Sequence, residues 1–455
     1  MEHKSDAIAV APGGREIRGL LALGLPLIGS RVAQFAVGLT DTVMMGWYSI
    51  DGLAALTIGA TVFFVLFLVG TGLTTAVTPM VASALAEGDT RQARRVTRMG
   101  LWLAVIYGAL ALPVMLAGTP ILLLLRQEPV VAELGGAYLA IAGLGLIPAL
   151  IMATLTSFLA AVEKTRAVLL VTIGVALLNV VVNYALIFGN LGMPELGILG
   201  AAVASATINL AGAIALMLYA VRAAPEYGLL QNIHRPDWPA FGQVFRLGLP
   251  IGLTWLAEVG LFGMAGVMIG WVGKVELAAH GIALQITSAT FMVHLGLSQA
   301  ATVRAGSAWG RRDRDALRRI AKAGFILSMG FVALTIAVFL TVPELLVGLF
   351  VDPAAPERGV VVAMGATLLA CAALFQLVDA GQVMALGVLR GTQDTRVPMI
   401  IAAISYWGVG TPAAYVLGFA LGFGAPGVWL GLVAGLTVAA VLLNRRLWRG
   451  LAERS

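Results

Sequence analysis

Charge is what this sequence has least of. Asp, Glu, Lys and Arg make up 11% of its 455 residues and apolar side chains 60%, where a soluble domain carries about 25% and 45–50%. In water such a chain would expose large apolar patches and aggregate; in lipid the same composition carries no penalty. Cysteine occurs once, as Cys371 inside an apolar run, which excludes disulfides and cysteine metal sites. The four histidines, His3, His234, His280 and His294, show no HExxH or paired spacing, so a zinc site is not expected. There is no GxxxxGK[ST] phosphate loop and no soluble stretch to house one, so ATP is not the direct energy source. No cofactor is expected beyond a coupling ion. The first 15 residues are polar and the apolar run after them is too long for a signal-peptide core, and no lipidation motif is seen. The net charge of +6 lies in short loops rather than on one soluble unit, which argues against nucleic acid as a partner.

What the chain does have is apolar runs. Reading them between Pro, Gly and charged breaks predicts twelve membrane helices near 17–47, 52–80, 96–118, 132–158, 165–189, 197–221, 244–271, 276–303, 320–346, 360–388, 397–422 and 426–447. The fold class is therefore all-α and polytopic, with lipid as its surroundings. With a cytoplasmic N-terminus, 25 of the 29 Lys and Arg fall inside, while only Arg126, Lys274 and Arg358 fall outside and Arg31 lies within the first helix. That asymmetry predicts both termini in the cytoplasm of a bacterial inner membrane.

The chain also repeats. Positions 23–100 align without a gap on 247–324, a shift of 224, with 25 identities in 78 positions. Leu23-Gly24-Leu25-Pro26 matches Leu247-Gly248-Leu249-Pro250, Trp47 matches Trp271, and Arg94-Arg95 matches Arg318-Arg319. Six helices per half is an even number, so the halves are parallel repeats with the expected substrate site between them. The predicted organisation is a segment 1–16, a six-helix bundle 17–221, a linker 222–243, a second bundle 244–447 and a tail 448–455.

Polar groups inside apolar helices are expensive, so each is a functional candidate. Asp41 shares a face of helix 1 with Gln34, and Arg31 falls near the same stripe. The competing reading is a solvated carboxylate near the outer surface. Glu258 lies eight residues past Pro250, near mid-bilayer, and its repeat equivalent is Gln34; it is either a functional acid or the partner of a buried Arg or Lys. Asp379 stands between Gln376 and Gln382 in one polar stripe, which is either a site or a packing cluster. Asn179 and Asn183 share a face of helix 5 and suit either a site or helix-to-helix hydrogen bonds. A buried carboxylate can carry a proton, or bind Na⁺ together with amide oxygens, and it attracts cationic substrates. Phe262, Met44, Met45, Met264 and Met268 lie near these acids, where thioethers and aromatic faces suit lipophilic cations unless they merely pack.

Several segments together carry a resemblance. They are Leu39-Thr-Asp41-Thr-Val-Met-Met-Gly46, Leu249-Pro250 to Glu258, Leu277-Ala-Ala-His280-Gly-Ile-Ala-Leu-Gln285, Gly296-Leu-Ser-Gln299 to Arg304, Gln376 to Asp379, and Leu389-Arg-Gly-Thr-Gln-Asp394. They span nearly the whole chain, which resembles the MATE family of multidrug and toxic compound extrusion transporters, NorM-like branch. The resemblance implies two six-helix bundles around a central cavity. It groups Asp41 with Asn179, Asn183 and Ser205 as a polar pocket of the N-terminal half, adds Gln285 to the cavity residues, and makes Glu258 and Asp379 the paired acids associated with cation coupling and a possible Na⁺. His294 and Arg31 depart from the family pattern: His294 reads as a surface substitution or a group titrating near neutrality, and Arg31 as a partner for an acid in one conformation.

The function this implies is export of cationic, amphipathic small molecules by antiport with Na⁺ or H⁺, by a monomer. A lipid-linked precursor flippase is the alternative, but it calls for a basic cavity and often fourteen helices. A membrane enzyme or receptor would show clustered catalytic motifs or a soluble domain, and neither is visible.

Overall fold

The computed structural model describes residues 12–452. Twelve helices in it are long and apolar enough to cross a membrane: α1 (Gly14–Tyr48), α2 (Ile50–Ala86), α3 (Thr90–Leu116), α4 (Pro129–Ala161), α5 (Thr165–Phe188), α6 (Ile198–Ala223), α7 (Trp238–Val272), α8 (Lys274–Gly310), α9 (Arg314–Thr341), α10 (Arg358–Gly391), α11 (Arg396–Ala420) and α12 (Gly424–Ala452). No strand occurs among the described residues. Twelve is even, so both ends of the described chain emerge at one face, here the terminal face. Side chains stop and start the helices. Asp89, Asp237 and Asp313 each accept a hydrogen bond from a backbone N–H in the first turn of α3, α7 and α9. Gly189 ends α5 in the left-handed region, where a Cβ would be strained.

The helices run past the apolar runs into polar sequence at the terminal face. α6 continues to Ala223 and α7 begins at Trp238, so the linker expected over 222–243 is helical at both ends. Residues 1–11 of the expected N-terminal segment and 453–455 of the tail lie outside the described residues. α11 is irregular: two π-helical turns, Ile404–Gly410 and Val416–Ala420, flank Pro412. The proline ring displaces the carbonyl it would meet in an α-helix, and the wider turn accommodates it.

The packing repeats as the sequence does. In the first half α1 packs on α5, α2 and α3 on α4, and α6 on α4 and α5; in the second, α7 packs on α11, α8 and α9 on α10, and α12 on α10 and α11. The two lobes meet along α1–α8 and α2–α7. Small residues make the seam. A Cβ on Gly72 would lie 2.1 Å from the Cα of Gly252, one on Gly248 2.4 Å from the oxygen of Leu73, and one on Gly296 2.7 Å from the nitrogen of Ile28. These contacts obey the repeat, since 296 − 72 and 252 − 28 are both 224. All fall in the terminal-face halves of their helices. Towards the other face, Gly38, Gly263 and Gly281 have no other group within 4 Å of a Cβ.

Ion pairs close the terminal face. Arg95 on α3 grips Asp237, the cap of α7, through two hydrogen bonds of 2.5 and 3.1 Å, and this guanidinium holds the Asp237 carboxyl below its ordinary range. The repeat equivalent of Arg95 is Arg319, which lies 4.0 Å from Glu16 at the start of α1, and Arg304 binds the same carboxylate at 2.5 Å. Each half thus uses an arginine at the same repeat position to tie down the first helix of the other.

Candidate functional site

Two polar clusters sit in the lobes, one in each. In the N-terminal lobe α1 and α5 face each other, and Asp41 Oδ1 accepts hydrogen bonds from Asn179 Nδ2 at 2.9 Å and Asn183 Nδ2 at 2.5 Å. The four-residue spacing puts both amides on one side of α5, and both are fully buried. Ser205 on α6 reaches the same carboxylate. Tyr138 on α4 is 4% exposed and stands close enough to Asp41 and Ser205 to interact with both. Both amides spend their N–H groups on Asp41, and their oxygens have no partner. A half-buried carboxylate is left beside two unsatisfied amide oxygens, and the solvated-surface reading of Asp41 is set aside.

In the C-terminal lobe Glu258 on α7 and Asp379 on α10 are 8% and 1% exposed, and they are near enough to act on each other electrostatically. Neither has a cationic group within 4.0 Å among the described residues, although the buried Arg390 of α10 is near enough to Glu258 to act on it electrostatically. The stripe beside Asp379 is fully buried: Gln376 donates to Thr290 Oγ1, and Gln382 to the hydroxyl of Tyr406. The remaining oxygens, Asp379 Oδ1, Gln376 Oε1 and Gln382 Oε1, have no hydrogen-bond partner. Uncompensated buried oxygens are costly. These unpartnered oxygens are of the hard kind that a monovalent cation such as Na⁺ takes, and a proton on the carboxyl would equally relieve Asp379. Phe262 belongs to this lobe, edge-on to Phe375 at 5.6 Å, and Phe375 in turn meets Trp429 at 5.9 Å.

Other expectations from the sequence are corrected. His294 is not a surface substitution: it is fully buried, its Nδ1 is 2.9 Å from Ser328 Oγ, and its ring meets Phe331. In this conformation Arg31 pairs with no acid among the described residues, which leaves the expectation of a pairing in another conformation standing; it donates to the amide oxygens of Gln34 at 3.1 Å and Gln299 at 3.0 Å. That bond holds Gln34, and no hydrogen bond links Gln34 or Gln285 to either acid cluster. Met44, Met45 and Met268 are buried at 7%, 0% and 5% exposure and serve as packing. Arg390, counted with the inside loops, is buried in α10 with its guanidinium 5.2 Å from the ring centroid of Trp255. Sequence reasoning missed Tyr138, Tyr406 and this role of Arg390. A tyrosine or arginine within an apolar run was the available signal.

Two pseudo-symmetric six-helix lobes, each with an acid in a polar cluster, and a seam closed at one face are the architecture of a two-lobed polytopic membrane transporter. The MatE family model matches residues 26–185 and again 250–416, two segments whose starts are 224 residues apart. The chain is 46% identical over 441 residues to the probable multidrug resistance protein NorM of Rhizobium meliloti, covering 96% of this chain and 94% of that protein. It is 44% identical to the protein of the same name in Agrobacterium fabrum, covering 94% and 93%. Among solved structures, an outward-facing multidrug resistance MATE family transporter superposes with a TM-score of 0.87 at 18% identity over 96% of each chain. The eukaryotic MATE transporter AtDTX14 superposes with 0.82 at 20% identity over 97% of this chain and 99% of that one. This chain belongs to the MATE family, with NorM proteins as its relatives.

Proposed function

We propose that the chain is a secondary antiporter that exports cationic, amphipathic compounds in exchange for Na⁺ or H⁺, and that it is a transporter rather than an enzyme. The observation that carries this reading is the pair Glu258 and Asp379, buried acids without an ion-pair partner. One cavity cannot hold a coupling cation and a cationic substrate on the same negative charge at equal strength. Each weakens the other by the same factor, which is the thermodynamic content of antiport. Relatives named for multidrug resistance support the substrate class. The charge asymmetry supports a cytoplasmic terminal face in a bacterial inner membrane. One chain supplies both lobes, which supports a monomer. The acidic clusters speak against the flippase alternative, whose diphosphate substrate would need a basic cavity.

The test is efflux from proteoliposomes under an imposed Na⁺ gradient, an imposed H⁺ gradient, or neither. A lipophilic cation such as ethidium is expected to move only with one of the two gradients. Transport without either would refute antiport.

Asp41→Asn is expected to abolish drug resistance while leaving expression and membrane insertion intact. The isosteric amide removes the charge, relieves a desolvation cost and keeps the volume. Growth on a toxic cation, with immunoblots of the membrane fraction, measures it. Resistance at the wild-type level would make Asp41 a bystander.

A further inference from the structure

Several guanidinium groups in the membrane-spanning helices have no acid at ion-pair distance among the described residues; two of them, Arg31 on α1 and Arg390 on α10, stand beside equivalent positions of the repeat. They contrast with Arg95, Arg304 and Arg446, each neutralised by a carboxylate at 2.5 or 2.6 Å. Arg31 binds only amide oxygens, Gln34 in its own lobe and Gln299 in the other. Arg390 is 8% exposed and stacks on Trp255. The amide partners of Arg31 leave its positive charge in place, and Arg390, with no acid at ion-pair distance, is near enough to Glu258 to act on it electrostatically.

Their positions are related by the repeat. Trp255 is the equivalent of Arg31 and Glu258 of Gln34, since 255 − 31 and 258 − 34 are both 224. In one lobe α1 itself supplies the guanidinium beside this position; in the other α10 supplies it. Both first helices run away from the terminal face, so Arg31 and Trp255 each lie three residues, nearly one turn, closer to that face than Gln34 and Glu258. The seam is adjacent: Ile28 meets Gly296 and Gly252 meets Gly72, each three residues further down. Arg31 reaches across that seam to Gln299.

We propose that Arg31 and Arg390 form a positively charged barrier beneath the acid clusters, which keeps the coupling cation from continuing through the seam to the terminal face. The proposal rests on the antiport reading. Buried carboxylates draw a cation down from the other face, and without an opposing charge they would be the upper half of a leak path. A fixed guanidinium at a constriction opposes cation passage, hydrated or as a proton.

The experiment measures substrate-free entry of Na⁺ and of H⁺ into proteoliposomes with entrapped ion-sensitive dyes. Wild type, Arg31→Gln, Arg31→Lys and the double variant Arg31→Gln/Arg390→Gln are compared. Arg31 is only part-buried, so Arg31→Gln is a test on its own if the double variant misfolds. Removing one unit charge at this depth is expected to raise the leak of the coupling ion roughly tenfold or more. The double variant should leak faster still, and Arg31→Lys should stay as tight as wild type. Leak-free Arg31→Gln vesicles would overturn the barrier, and so would an Arg31→Lys variant as leaky as Arg31→Gln, because shape rather than charge would then matter. Gradient-driven ethidium efflux by wild type in the same vesicles reports separately on the antiport reading.

Discussion

Glu258→Gln and Asp379→Asn are each expected to eliminate substrate-induced cation release from the purified protein, with the double variant scarcely worse than either single. At an effective dielectric of about 20, one carboxylate attracts a cation at 4 Å by about 4 kcal/mol. Even after the desolvation that offsets part of this, losing one charge should weaken cation binding well over tenfold. The two acids interact, so a cation arriving at one changes the charge felt at the other, and removing one disables the unit. Stability should move the other way. Asp379 is 1% exposed and its Oδ1 has no partner, so the amide removes a buried charge from the fold and the melting temperature should hold or rise. A variant that loses coupling and gains stability is what a functional acid predicts. A packing acid predicts the reverse, and undiminished release in both singles would sink the paired-site mechanism while leaving the family assignment untouched.

The second large effect concerns the seam. Gly72→Leu should destroy transport without preventing insertion, because a Cβ at Gly72 would stand 2.1 Å from the Cα and 2.3 Å from the nitrogen of Gly252. Both neighbours are backbone atoms and cannot swing aside, so α2 and α7 must separate. That destabilises the state in which the terminal face is closed and leaves the lobes' own cores intact. Spin labels at Arg91 and Gln243, both exposed on the terminal side of α3 and α7, should report a longer interlobe distance in Gly72→Leu than in wild type. Gly174→Leu is the matched control: that glycine is exposed on α5, and nothing lies within 4 Å of its Cβ. Equal distances in all three proteins would show that the seam absorbs the side chain.

Helix count, helix order and the repeat were legible in the sequence because the bilayer imposes them segment by segment. Every run of about 20 apolar residues must satisfy its own backbone hydrogen bonds, so hydropathy alone predicts a helix without reference to any other part of the chain. The cost of an intramembrane charge is equally local, which is why Asp41, Glu258 and Asp379 stood out as candidates before any contact was known. The helix ends were less legible. α8 runs on to Gly310 and α10 to Gly391, beyond the predicted 303 and 388, because capping and ion pairs at the terminal face, rather than hydropathy, decide where they stop.

Which polar groups meet was decided only by the tertiary structure. These helices are apolar nearly all round, so the sequence does not say which side of each turns inward; that rotation is set by small residues such as Gly72, Gly252 and Gly296 letting backbones touch. Asp41 lies 138 and 142 residues from the two asparagines it binds, and Arg31 lies 268 from Gln299. Arg390 counts as a loop charge by position and becomes a buried one because α7 turns Trp255 beneath it. His294 looks like a surface change by position and is fully buried because α9 covers it with Ser328 and Phe331. Hydropathy is a property of one segment against lipid, while a hydrogen bond or an unpaired charge is a property of two segments at a particular rotation, and only the packed bundle contains that second kind of information.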